Sequence, residues 1–280
     1  VPVPPCERYW LTALQGEHGV VPRVFAEGAS VGGYDFAWVV MERLPYGPVS
    51  DGMHGGSGNG NDGGNGAAAW GAAGLDVVIE SLVTFHEATV AMEPAGAGRD
   101  GPPAGVTPRR SFAELLDRSR KAVSDGGLPE KQKWNALLKK AKKRIGQWQT
   151  AWDGRATDGW CHGDFHAGNV MSRSPAPDGP GVLIDFAQTR RGHWLEDAVY
   201  FEHQYWSVPE MLEGRQPTKM VVEGRRRLGL DLGHDWSELA AALRAWFAIS
   251  APLTLGSTHG HAHLDAAMLR LERLAAGQAA

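Results

Sequence analysis

Between Gly52 and Gly74 the sequence reads GMHGGSGNGNDGGNGAAAWGAAG, a run with almost no large apolar side chains. Such a run cannot bury enough surface to offset the entropy of ordering its backbone, so it is expected to be a mobile linker or insertion. It divides the chain into residues 1–50, an insertion at 51–75, and residues 76–280. The flanking parts have the composition of a folded protein: 42% of the 280 residues are hydrophobic and 21% charged, enough for one large domain or two small ones. A net charge of −4 provides no basic field for nucleic acid or an anionic membrane, which leaves small molecules as the expected partners. Two cysteines, Cys6 and Cys161, are too few for a disulfide scaffold. No apolar run approaches the ~20 residues of a membrane helix, and there is no secretory apolar segment, so a cytoplasmic location is expected.

Apolar spacing differs on the two sides of the insertion. Residues 20–27 and 36–44 are short β-branched and aromatic runs, which predict two antiparallel strands after a helix over 6–14. Beyond the insertion the period becomes helical: Ile79, Leu82, Val83, His86 and Val90 share one face. A second stripe, Trp134, Leu137, Leu138, Ala141, Ile145, Trp148 and Trp152, predicts one long helix from Pro129 to the Asp153-Gly154 stop. Asp235 and Glu238 have capping-box spacing for a helix over 236–250, and a last helix is expected over 264–276. Residues 168–172 and 181–186 read as a hairpin joined by the Pro/Gly-rich turn 174–181, and residues 94–108 as a surface loop. A small strand-bearing part and a larger helical part containing a hairpin make an α+β arrangement.

The chemistry concentrates in Trp160-Cys161-His162-Gly163-Asp164-Phe165-His166-Ala167-Gly168-Asn169 and in Val182-Leu183-Ile184-Asp185-Phe186. Asp164, Asn169 five positions on, and Asp185 sixteen further match the logic of phosphoryl transfer. There one carboxylate orients or deprotonates an attacking hydroxyl, while an Asn and a second Asp hold the magnesium that neutralises the phosphates. Asp185 ends an apolar run, so its carboxylate is expected to be paired or metal-bound.

His-Gly-Asp-x-His-x-Gly-Asn with a following Ile-Asp-Phe resembles the catalytic and metal-binding loops of the aminoglycoside phosphotransferase and choline kinase superfamily, small-molecule relatives of the protein kinases. The run from Ala37 to Leu44 is similar to the last strand and hinge of that family's N-lobe, Leu82 to His86 to its helix ending in His, and Glu196-Asp197-Ala198 to the segment after the metal-binding strand. The resemblance spans about residues 7–201. It implies a two-lobe, protein-kinase-like fold with a partial strand-bearing N-lobe, and an ATP-dependent phosphotransferase acting on a small hydroxylated molecule. It implies Asp164 as catalytic base, His162 and Asp197 shaping the catalytic loop, and Asn169 and Asp185 as Mg2+ ligands. ATP would be held at the hinge by Met41, Glu42 and Leu44, and Glu7 would pair with a phosphate-binding lysine. In the family that lysine and a Gly-rich loop lie tens of residues before the position of Glu7, whereas the first lysine here is Lys121. The expectation is that upstream N-lobe residues lie outside this sequence, or that the protein has lost them and binds nucleotide weakly.

Two rival readings bear on the same residues. A kinase-shaped binding protein without turnover fits the missing loop and lysine. A metal-dependent hydrolase would use His162, Asp164 and His166 with His259, His261 and His263, whose alternate spacing can present ligands to one side. The hydrolase gives no role to Asn169 or Asp185, and residues 259–263 read as a loop. The basic run at 139–144 is expected to be a solvated helix face. Trp194, Tyr200, Phe201, Tyr205, Trp206, Trp236 and Trp246 can build a cation–π pocket, but their helical spacing favours core.

Overall fold

The computed structural model describes residues 5–16, 19–34, 37–50, 71–92, 111–175, 178–254 and 261–278. The expectations for residues 36, 52–70 and 94–108 and for His259 fall outside these. The chain divides into two units, Val1–Thr107 with Thr157–Phe201 and Glu210–Asp231, and Pro108–Ala156 with Glu202–Pro209 and Leu232–Ala280.

In the first unit, helix α1 (Pro5–Ala13) starts on a proline, whose missing N–H costs nothing in a first turn. It buries Trp10 and Leu11. Strands β1 (Val24–Gly28) and β2 (Trp38–Met41) pair antiparallel as the β-branched runs predict. The register shifts between Val24 and Ala26, leaving Phe25 as the extra residue of a bulge. Helix α2 (Gly71–Thr89) begins inside the stretch read as insertion. Its inward spacing continues upstream through Leu75 and Val78, both fully buried, and that burial extends the helix past the glycine-rich boundary.

Strand β3 (Gly159–Cys161) pairs antiparallel with β6 (Arg190–Gly192). Between them lies the expected hairpin, β4 (Val170–Ser172) with β5 (Gly181–Leu183), in the register Val170 to Leu183. Helices α6 (Leu195–Gln204) and α7 (Pro217–Arg227) follow. Trp10 meets Trp160 edge-on at 4.7 Å, and Phe85 lies 6.0 Å from Phe186. Fully burying side chains of this size stabilises by about 1.5–3 kcal/mol each, so this cluster is the anchor of the unit.

The second unit is helical among its described residues. Helix α3 (Phe112–Asp125) is capped by Ser111, whose hydroxyl accepts the Glu114 N–H at 3.2 Å, a Ser-x-x-Glu start. The single helix expected over 129–153 is two, α4 (Lys131–Ala141) and α5 (Ile145–Asp153). Between them Lys143 and Arg144 donate to Lys140 and Ala141, three residues back instead of four. Five cations crowd residues 139–144, and like charges three and four apart on a helix repel. Helix α8 (Trp236–Thr254) contributes Trp246, which meets Phe112 edge-on at 5.2 Å. Helix α9 (His261–Ala275) starts earlier than expected, so His261 and His263 are helical, not loop residues. The His263 ring stacks on Trp206 at 5.9 Å. Trp194, Phe201, Tyr205 and Trp206 are buried, the core role their spacing favoured. Among the described residues no helix is long and apolar enough to cross a membrane.

Candidate active site

The loop leaving β3 is fixed from beneath. Asp197, in the first turn of α6, accepts the His162 N–H at 2.8 Å on Oδ2 and the Gly163 N–H at 2.9 Å on Oδ1. Asp197 is almost fully buried. Burial alone would raise its carboxyl, but the neighbouring His86 and His162 rings and the Gly163 N–H hold it below the usual carboxylate range. His86 Nε2 stands 3.8 Å from that carboxylate, too far for a hydrogen bond, so His86 is a buried neighbour and lacks the hydrogen bond expected of a core histidine. Gly163 has φ +88, and a Cβ there would stand 2.2 Å from the Gln188 carbonyl oxygen, so the turn accepts glycine alone. The His162 ring is buried with Nε2 3.0 Å from the Ile184 carbonyl; a carbonyl only accepts, so Nε2 carries the proton. Burial lowers the pKa of both His162 and His86.

Asp164 follows this pinned turn and is half-exposed. Its Oδ1 accepts the Tyr200 hydroxyl at 2.9 Å, while Oδ2 is 4.0 Å from His166 Nε2, beyond hydrogen-bond range. Asn169 ends a one-turn 3-10 helix, Ala167–Asn169, and its Nδ2 donates to the Asp164 carbonyl at 3.0 Å. That assignment leaves Oδ1 without a partner among the described residues. The Ile184 N–H donates to the Asn169 carbonyl at 3.1 Å, which ties the end of β5 to the same loop.

Asp185 follows at φ +62, a left-handed conformation that is uncommon for a residue with a side chain and turns the chain out of β5. Of the two expectations for this carboxylate, paired or metal-bound, the structure shows no pairing within the protein among the described residues. Phe186 is buried, yet Asp185 is exposed and has no partner among the described residues. The side-chain Oδ1 of Asn169 and the Asp185 carboxylate are hard oxygen donors of the kind magnesium takes, and neither has a partner among the described residues.

Glu7, on α1, does not have the lysine partner that the resemblance implied among the described residues. Burial and then the negative charge of Asp185 raise its pKa. At the end of β2, Met41 is 45% exposed. The Glu42 N–H is taken by the Arg23 carbonyl at 2.7 Å. Its carboxylate is gripped by Arg173, Nε to Oε1 at 2.8 Å and Nη2 to Oε2 at 2.9 Å, and that bond holds its pKa below the usual range. Arg173 also donates to the carbonyls of Gly19 and Val21. The Glu42 side chain is therefore a clamp between β2 and the β4 hairpin. The Glu42 carbonyl and the Leu44 amide have no partner among the described residues, one acceptor and one donor as an adenine edge requires.

Of the ligands proposed for the rival hydrolase, His162 is buried against Ile184 while His166 is about one-third exposed. Among the described residues no three His, Cys, Asp or Glu side chains gather as a metal site.

The APH model, described as the phosphotransferase enzyme family, matches residues 4–215. The chain belongs to this family. Among solved structures, a Ralstonia eutropha protein assigned to the aminoglycoside phosphotransferases shares the phosphotransferase fold, with a TM-score of 0.56 at 16% identity over 97% of this chain and 82% of that one. A glucosamine kinase gives 0.51 at 16% identity, covering 99% and 71% of the two chains. An amicoumacin kinase in complex with AMP-PNP and Ca2+ gives 0.50 at 12%, covering 97% and 77%. No curated protein matches the sequence. In this phosphotransferase chain two site residues had no sequence signal of their own role. In the sequence Tyr200 has only the signature of an aromatic and Arg173 has none; both act across the chain, 36 and 131 residues from their partners.

Proposed function

We propose that this phosphotransferase moves the γ-phosphoryl group of ATP, with magnesium, to a hydroxyl of a small amine-bearing molecule. The observation that supports this reading best is Asp164, a carboxylate held at one oxygen and open at the other on a loop pinned by Asp197. Asp164 Oδ2 would take the proton of the acceptor hydroxyl as that oxygen bonds to Pγ. The bond from Pγ to the β–γ bridging oxygen breaks, and ADP leaves with its electron pair. Magnesium, when bound, neutralises charge on the phosphate oxygens. Asn169 Oδ1 and the Asp185 carboxylate would hold it, and Met41, the Glu42 carbonyl and the Leu44 amide would receive adenine. His162 would keep the loop turn in place. On this reading the protein works in the cytoplasm, where ATP is supplied.

The test is ADP release from Mg-ATP with ethanolamine, 1-aminopropan-2-ol, glucosamine and kanamycin as acceptors. Turnover with one of them that falls by about a hundredfold or more in Asp164→Asn is expected, and equal activity in the variant overturns the reading. The unpartnered Glu7 favours one second reading, a nucleotide-binding protein without transfer. Saturating Mg-ATP at a hundred times its Kd stabilises by about 2.7 kcal/mol, a shift of several degrees in Tm. A shift that disappears in Asp185→Ala, with no acceptor phosphorylated, would support binding alone.

A further inference from the structure

The carboxylate of Asp164 has an anchor that a D-x-x-x-x-N loop does not itself supply. We infer that Tyr200 is the positioning residue of the phosphoryl transfer, holding Asp164 Oδ1 so that Oδ2 alone faces the acceptor hydroxyl.

Tyr200 lies three residues after Asp197 on α6, and residues three apart share one face of a helix. Asp197 grips the backbone N–H groups of His162 and Gly163, and Tyr200 grips the side chain of the next residue. One helical turn thus sets both the path of the loop and the orientation of its carboxylate. Asn169 Nδ2 adds a third hold at the Asp164 carbonyl, which leaves rotation of the side chain as the remaining freedom. The Tyr200 hydroxyl, 2.9 Å from Oδ1, stops that rotation. Burial and the Asp164 carboxylate push the Tyr200 phenol up to about 12, so it stays a donor at any working pH. A base must come within about 2.6–3.2 Å of the proton it takes, and a misplacement of about 1 Å can cost a hundredfold in rate. On this inference the hydroxyl acts through the geometry of Asp164.

The inference rests on the phosphotransferase reading, and a kinetic cycle separates the two. With Mg-ATP and the most active acceptor of the four named above, kcat and KM are measured for the wild-type chain, Tyr200→Phe, Asp164→Asn and the double variant. Phenylalanine keeps the ring and its packing, and thermal denaturation verifies the fold of each variant. Tyr200→Phe is expected to lower kcat about tenfold, the loss of one hydrogen bond to a charged group, with KM for ATP and for the acceptor unchanged. In the Asp164→Asn background the same change is expected to have no further effect, because the group it positions is already gone. Wild-type kcat in Tyr200→Phe, or the same fold-loss in both backgrounds, overturns the positioning role while leaving the phosphotransferase reading intact. No turnover by the wild-type chain overturns both.

Discussion

The candidate site has two halves that differ in how their charge is balanced. Around His162 and Gly163 the carboxylates are held within the protein: Asp197 accepts two backbone N–H groups, and Asp164 accepts the Tyr200 hydroxyl on Oδ1. Around Glu7 and Asp185 charge of one sign accumulates, with no cation on either carboxylate among the described residues. The first half is preorganised, and preorganised groups need no rearrangement when the reaction begins. The second half has no such partners among the described residues, and burial, then the negative charge of Asp185, raises the pKa of Glu7.

The contrast breaks most visibly at Asp197. Asp197→Ala strands the His162 and Gly163 N–H groups and should cost about 3 kcal/mol or more, a Tm lower by roughly 6 °C or more. A variant that melts with the wild type would show that the loop is not held from beneath. Acid is the next lever. His86 and His162 stay neutral in the fold below the ordinary histidine pKa of 6.5, whereas the unfolded chain protonates there. Their contribution is complete above 6.5 and is lost as pH falls below it, so Tm should decline from pH 7 to pH 5. A flat profile over that range would contradict their buried neutral state. The smallest effect belongs to Glu7, whose raised pKa gives the opposite sign: its contribution is full below the ordinary value of 4.5 and is lost as pH rises through the folded value. Glu7→Gln should leave Tm at pH 7 unchanged or slightly higher and make the acid decline steeper. A clear destabilisation at pH 7 would mean that Glu7 has a cationic partner after all.

Much of this arrangement was legible before any coordinates, and particular residues show why. The hairpin of β4 and β5 follows from two short apolar runs around a Pro/Gly turn, and its neighbours in space are neighbours in sequence. Asp164 and Asn169 sit five residues apart on one loop, so their relation is local as well. The helix break at 142–144 was missed because an unbroken apolar stripe outweighed the like charges beside it. The start of α2 lies in glycine-rich sequence that conceals Leu75, whose burial only the folded core supplies.

Local spacing and turn residues thus determined the hairpin and the Asp-Asn loop, and the motif residues around them carried the resemblance to the family. Tertiary structure alone decided that Tyr200 reaches Asp164, that Arg173 clamps Glu42 from 131 residues away, and that Asp185 stands exposed beside Glu7. The reason is physical. A short-range pattern constrains backbone dihedrals and the face a side chain takes, whereas a contact between distant residues exists only once packing has chosen which faces meet.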